Sequence, residues 1–167
     1  GYDYLRNRFF SYHKAAAQPF SQTGVTESQF ETIKAIIESR SPGQNINILV
    51  ESSWEKPKTE FVIKLADELG YQLLKVAEPN DSYAQIYKNM FRVQAIYAAQ
   101  KHAATNEKVA LLIENADMML DKRLFEDESS YLGQSGTKFR TSVMTELLTH
   151  GGAVQFWLTA SLAEVDT

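Results

Sequence analysis

An α/β fold, a three-layer sandwich around a mostly parallel sheet, is what this sequence predicts. Short apolar runs at 46–50, 71–76, 108–113 and 153–158 have strand length and composition. The stretches between them carry helical periodicity, and glycine or proline punctuates the joints. Strands alternating with helices imply parallel pairing with helices on both faces. The crossovers between such strands are expected to be right-handed.

Taken in order, residues 1–25 are irregular and read as an N-terminal arm or linker, and residues 26–167 as the α/β core. The aromatic cluster Tyr2, Tyr4, Phe9, Phe10 and Tyr12 is expected to dock back on its own domain. Thr26 can cap a helix whose early turns hold Glu27 and Glu31, complementing the dipole. Phe30, Ile33, Ile36 and Ile37 recur along it, and Ser41-Pro42-Gly43 stops it. Ile46 to Val50 is β-branched and reads as a buried strand. Lys58 to Leu69 reads as a helix with Phe61, Leu65 and Leu69 on one face, closed by Gly70 as its C′ residue. Tyr71 to Val76 is the next strand.

Asp81 to Ala104 predicts a long helix with Tyr83, Ile86, Tyr87, Met90, Val93 and Tyr97 on one stripe. Lys108 to Ile113 predicts a third strand. Residues 121–138 read as a polar loop, its acidic side chains Asp121, Glu126, Asp127 and Glu128 solvated. Arg140 to His150 reads as a short helix before Gly151-Gly152, and Ala153 to Leu158 as the fourth strand. No internal repeat is present.

Bulk properties exclude several classes. The chain has 167 residues, 44% hydrophobic and 23% charged, which suits one domain with a core of its own. Its net charge of −4 leaves no overall basic footprint for nucleic acid. Cysteine is absent, which rules out disulfides, thiol catalysis and zinc–thiolate sites and agrees with an intracellular, cytoplasmic setting. No apolar run nears the roughly 20 residues of a membrane helix, and no signal peptide is visible. The first residue is Gly1 and the last, Thr167, follows an apolar run closely, so the expectation is a domain of a longer protein. His13, His102 and His150 are scattered, and surface or capping roles suit them better than a metal centre.

In a parallel α/β sheet, ligands bind beyond the carboxyl ends of the strands. Three such ends carry polar residues of interest. Val50 is followed by Glu51-Ser52-Ser53-Trp54-Glu55-Lys56-Pro57-Lys58-Thr59. A phosphate-binding loop reads G-x-x-x-x-G-K-[ST] between a strand and a helix. Lys58 and Thr59 match its last two positions, while Ser52 and Pro57 stand at its glycines. The second end reads Val109-Ala110-Leu111-Leu112-Ile113 and then Glu114-Asn115-Ala116-Asp117. The third reads Phe156-Trp157-Leu158 and then Thr159-Ala160-Ser161. An ordinary first helical turn and two polar strand exits would look similar segment by segment.

In this order and spacing, residues 46–166 resemble the large α/β subdomain of the AAA+ family of P-loop ATPases, with altered Walker A, Walker B and sensor 1 motifs. The resemblance implies ATP and magnesium as ligands. It puts Lys58, Thr59, Ser52, Pro57 and Ser161 at the nucleotide, Thr59 and Glu114 at the magnesium, and Glu114 and Asn115 at the catalytic Asp-Glu pair. It also implies protein partners or an AAA+-type oligomer. No fifth strand, helical lid, sensor 2 or arginine finger can be assigned; Arg140 opens the helix before the fourth strand and is poorly placed for the last role.

The substitutions have physical consequences. Glycine permits positive φ and close approach to phosphate, whereas Pro57 fixes φ, removes a donor and disfavours helical geometry at Lys56. Glu55 brings negative charge and Trp54 bulk to the place where a polyphosphate would lie. Asn115 is an amide and cannot act as a general base at neutral pH. The expectation is a degenerate AAA+ domain serving as a scaffold or regulatory module, with impaired ATP binding and hydrolysis. One alternative is a divergent but active ATPase of this type remodelling a macromolecule, its base supplied by Asp117 or a neighbouring subunit. The other is an unrelated α/β interaction module. A sheet with the first of the four strands beside the fourth, and the fourth beside the third, favours either AAA+ reading over the last.

Overall fold

The computed structural model describes residues 8–13, 25–52, 55–106, 108–120 and 143–160. Its centre is β5 (Val154–Thr159), buried at all six positions. Parallel neighbours lie on either side of it: β4 (Val109–Ile113), also wholly buried, and β2 (Ile46–Glu51). Beyond β4 lies β3 (Gln72–Val76), again parallel, and beyond that β1 (Phe10–Tyr12), antiparallel. The order β1-β3-β4-β5-β2 makes a five-stranded, mostly parallel sheet. The register sets Ile46 and Ala110 on opposite sides of Val154, and Leu49 and Ile113 on opposite sides of Trp157.

Alternation along β5 divides the interior. Phe156 and Leu158 join Phe30 and Ile37 of α1 (Glu27–Glu38) and Phe61, Val62 and Leu65 of α2 (Glu55–Leu69). Trp157 points the other way. It joins Ala95, Ile96 and Ala99 of α3 (Gln85–Ala103), Met119 of α4 (Asp117–Leu120), and Met144 and Leu147 of the helical residues 143–149, here α5. Two helical layers thus enclose the sheet, because a strand buried on both faces needs apolar cover on both.

Local chemistry explains the element ends. Thr26 and Gln29 form a reciprocal capping box, as a threonine followed three residues later by glutamine allows. Gly43 and Gly70 take φ of 79° and 73°, so each chain reversal sits on a residue without a Cβ penalty.

Strand β2, expected to be buried, is instead an edge strand with Asn47, Leu49 and Glu51 exposed. Three further sequence expectations shift. Residues 10–12 come from the segment read as an arm, but they form the edge strand β1. Phe10 is buried there, Phe9 and Tyr12 pack beside it, and Ala77 N donates to Phe9 O at 2.8 Å, so these three members of the aromatic cluster dock on the domain. Tyr2 and Tyr4 lie outside the described residues. Helix α2 begins at Glu55, three residues before the position predicted from Lys58. Pro57 is tolerated in a first turn because its missing N–H has no intrahelical acceptor there, and Lys56 is helical despite preceding it.

The third shift concerns α3, which begins at Gln85 rather than Asp81, so Tyr83 precedes it. Tyr83 and the helix residues Ile86, Tyr87, Met90 and Tyr97 are exposed, and of the expected stripe only Val93 packs on the core. The buried face is instead Ala95, Ala99 and Ala103 with Ile96, Asn89 and Gln100. Alanines spaced by four let the helix lie close to the sheet, and the buried amides have hydrogen-bond partners. The acidic loop at 121–138 lies outside the described residues, as does Arg140. Among the described residues no helix is long and apolar enough to cross a membrane.

Candidate functional site

The carboxyl ends of β2, β4 and β5 lie side by side, and the Thr159 carbonyl joins the first to the last. Ser52 N donates to it at 3.1 Å, continuing the β2–β5 ladder by one rung. Lys58 Nζ donates to the same oxygen at 2.8 Å from the first turn of α2. Lys58 is only 8% exposed, so its ammonium is committed to the sheet rather than presented to solvent. The Thr159 side chain is fully buried, and its hydroxyl has no hydrogen-bond partner among the described residues. Thr59 follows Lys58 in the helix and is half-buried, as are Ser52 and Pro57. Ser161 lies outside the described residues.

At the end of β4 the side chains turn toward β3. Glu114 pairs with Lys75 across the β3–β4 ladder at 3.6 Å. Asn115 has φ of 53°, a left-handed conformation that asparagine accepts more readily than other non-glycine residues. Its amide donates to the Glu78 carboxylate just beyond β3. Ala116 N returns to Leu158 O at 2.8 Å and locks the turn onto β5. Among the described residues no hydrogen bond or ion pair joins Glu114 or Asn115 to Lys58 or Thr59. The site residues expected from sequence therefore form two groups: Lys58 and Ser52 on Thr159, and Glu114 and Asn115 on the β3 side.

A small cleft of about 10 Å³ lies under the second group, lined by Glu78, Arg92, Ile113, Asn115 and Met119 among others. It has room for about one water. Burial pulls the Arg92 guanidinium below its ordinary range, and Glu78, Asp117 and Asp81, in that order, act against the shift. Sequence reading passed over Glu78 and Arg92 because neither stands in a motif. Their only signal was position, Glu78 just after a strand and Arg92 on the helix above it.

A second feature without a sequence signal is a groove of about 510 Å³ between α1 and edge strand β2. Ile33, Ile48, Leu49, Val50 and Phe61 line it.

Magnesium and a triphosphate would need backbone donors around open space, a free ammonium and a nearby carboxylate. The described residues do not fit that requirement: Lys58 is occupied, the helix starts early, and Glu114 is paired away from Thr59. Among the described residues no group of three or more His, Asp or Glu side chains could hold a metal ion. His102 accepts or donates at 2.7 Å with the Tyr12 hydroxyl and packs on Phe10, a role in docking β1.

The left-handed turn gives a direct prediction. Asn115→Ala is expected to lower stability by about 1–2 kcal/mol, because alanine tolerates positive φ poorly and loses the amide. Asn115→Gly should cost about 1 kcal/mol less than alanine, since glycine removes the steric part. Urea denaturation of the two variants side by side measures the difference.

No protein-family model matches the sequence, and no curated protein matches it. Among solved structures, the fold is similar to a chain from the HORMA:CdnC:Trip13 complex of E. coli MS115-1, with a TM-score of 0.58 and 14% identity. The likeness covers 96% of this chain and 66% of the other, so this chain spans just under two thirds of that neighbour's length. At that identity the likeness concerns the fold alone.

Proposed function

We propose that this chain is a degenerate AAA+-like nucleotide-binding domain that acts as a scaffold or regulatory module in a protein assembly. The strand order supports the family part of this reading: β2 lies beside β5, and β5 beside β4, all parallel. That arrangement was the discriminator against an unrelated interaction module. The convergence of Lys58, Ser52 and Thr159 at the carboxyl ends of β2 and β5 supports it further. The structural neighbour comes from a multi-protein complex, which supports protein partners.

Impaired nucleotide handling rests above all on Lys58. A phosphate loop works through an ammonium free to meet the β- and γ-phosphates. Here that group is buried against the Thr159 carbonyl, behind a helix that has absorbed part of the loop. Asn115 supplies no base, and its amide is engaged by Glu78.

Calorimetric titration with magnesium and ATP, on the wild type and on Lys58→Ala, tests the reading. No saturable binding is expected at about 1 mM ATP, a threshold equivalent to roughly −4 kcal/mol. Saturable binding that disappears in Lys58→Ala would instead favour the divergent ATPase over this reading.

A further inference from the structure

Edge strand β1 is short, yet its pairing with β3 leads to the second group of site residues. Ala77 N donates to Phe9 O at 2.8 Å, and His13 N to Leu73 O at 2.9 Å. Those bonds fix the alternation, so Ser11 and Lys75, which stand opposite each other, form the hydrogen-bonded pair between them. Lys75 pairs with Glu114 at 3.6 Å. Ala77 is followed by Glu78, whose carboxylate accepts from the Asn115 amide. The part of β3 that holds Glu114 and Asn115 is thus the part that β1 holds. We propose that β1 is a releasable strap for the turn after β4: docked, it keeps Glu114 and Asn115 in place, and peeled from the sheet edge it lets that turn loosen. The proposal goes beyond the nucleotide reading and holds whichever way that reading is decided.

The connection is stiff enough to carry such an effect. Glu78 has little backbone freedom of its own. Ala77 before it is bonded to β1, and Pro79 after it is buried and disfavours helical backbone at Glu78. A shift of Ala77 therefore moves the carboxylate. A side-chain route runs beside this one. Phe9 packs on Phe91 with ring centroids 5.6 Å apart, and the next residue, Arg92, lines the cleft with Glu78 and Asn115. The turn is sensitive to both routes, because Asn115 at φ of 53° occupies a conformation that costs energy outside glycine.

Release of β1 is local for two reasons. A three-residue edge strand makes few ladder bonds, and such an element opens at a fraction of the global free energy. The other group of site residues also lies beyond its reach. Lys58 and Ser52 meet on Thr159 of β5, on the far side of β4 from β3.

Ser11→Pro tests the strap without touching the core: the Ser11 side chain is exposed, and proline removes the N–H that faces β3. Phe10→Asp lifts the same strand by its buried side chain. In both variants amide exchange is expected to rise about tenfold at Ala77 and about threefold at Ala116, whose N–H closes the turn onto Leu158 O, while Ile46 and Ser52 stay within about twofold. The Asn115 side-chain amide signal should move toward its position in Glu78→Ala, which removes the acceptor outright. Coupling between two sites is mutual, so Glu78→Ala should in return speed exchange at His13, at the other end of β1.

An Asn115 signal and an Ala116 exchange rate that stay unchanged in both β1 variants overturn the proposal and leave β1 as passive edge cover. Equal acceleration at Ala116, Ile46 and Ser52 overturns it too, since β1 would then support the whole sheet rather than this turn.

Discussion

Gln155→Leu is expected to lower the stability of the fold by about 2–3 kcal/mol, although it preserves volume and adds an apolar residue to the interior. Gln155 is fully buried on the central strand, facing α3. The two N–H groups of its Nε2 are shared among Asn47 Oδ1 at 2.8 Å, the Leu147 carbonyl at 3.1 Å and Asn45 Oδ1 at 3.2 Å. Its Oε1 accepts from Gln100 Nε2 at 2.6 Å. Gln100 also reaches the Leu147 carbonyl, and Asn47 reaches that of Leu148. These carbonyls belong to the last turn of α5, where a helix leaves its acceptors unpaired. The amides therefore cap that helix from the side and tie it to β2, β5 and α3.

Redundancy sets the size of the expected loss. Without Gln155, the Leu147 carbonyl keeps Gln100, and Asn47 Oδ1 keeps Trp157 Nε1 at 3.0 Å. Asn45 Oδ1 loses its partner, and Gln100 loses one acceptor. One half-buried acceptor without its partner and one buried amide left with a single acceptor account for the roughly 2–3 kcal/mol. At this chain length that corresponds to a fall in Tm of roughly 5–10 °C. The double variant Gln100→Leu with Gln155→Leu should cost at least about 1 kcal/mol less than the sum of the singles, because the two share a bond. Strict additivity in urea denaturation would show that the amides act independently. Gly151 belongs to the same arrangement: a Cβ there would lie 2.6 Å from Asn45 Oδ1, 2.7 Å from Gln155 Nε2 and 2.9 Å from Gln100 Nε2.

This network also marks a limit of sequence reading. Four amide residues scattered from Asn45 to Gln155 show no period and no motif, and only the sheet order brings them together. The strands were legible because β-branched apolar runs bounded by glycine and proline have few other uses. Alternation of strand with helix then made the sheet mostly parallel. Edge strand β1 was harder to read. Three residues are too few for a period, and antiparallel pairing comes from a segment otherwise irregular.

The α3 stripe failed in an instructive way. Apolar periodicity locates a face and cannot say whether the sheet or another molecule covers it. The small residues of the opposite face, Ala95, Ala99 and Ala103, were the better marker of burial. At the candidate site, Lys58, Ser52, Glu114 and Asn115 were all legible from their places after strands. Their partners Thr159, Lys75 and Glu78 depend on register, which a single sequence does not specify. The early start of α2 was hidden by Pro57, which marks a helix start equally well from inside the first turn.

Trp157→Ala is expected to have the largest effect of any single change considered, about 3–5 kcal/mol. The side chain is 1% exposed and packs in the α3-side core. Truncation removes the most voluminous fully buried side chain and takes a donor from Asn47. Trp157→Phe keeps most of the packing and should cost about 1–2 kcal/mol, for the lost volume and the missing N–H. The phenylalanine variant stays folded, so it also tests how the core supports the candidate site. Trp157 stands between Leu49 of β2 and Ile113 of β4, two residues before Thr159, whose carbonyl receives both Ser52 N and Lys58 Nζ. Loosening β5 at this point should weaken the last rung of the ladder before the sheet as a whole. Amide hydrogen exchange at Ser52 is therefore expected to rise in Trp157→Phe by more than exchange at Ile46, which bonds the Ala153 carbonyl at the other end of the same strand pair. Equal acceleration at both amides would mean that the β2–β5 pair opens only as one unit, with the Lys58 contact held by the global fold rather than by the packing beneath it.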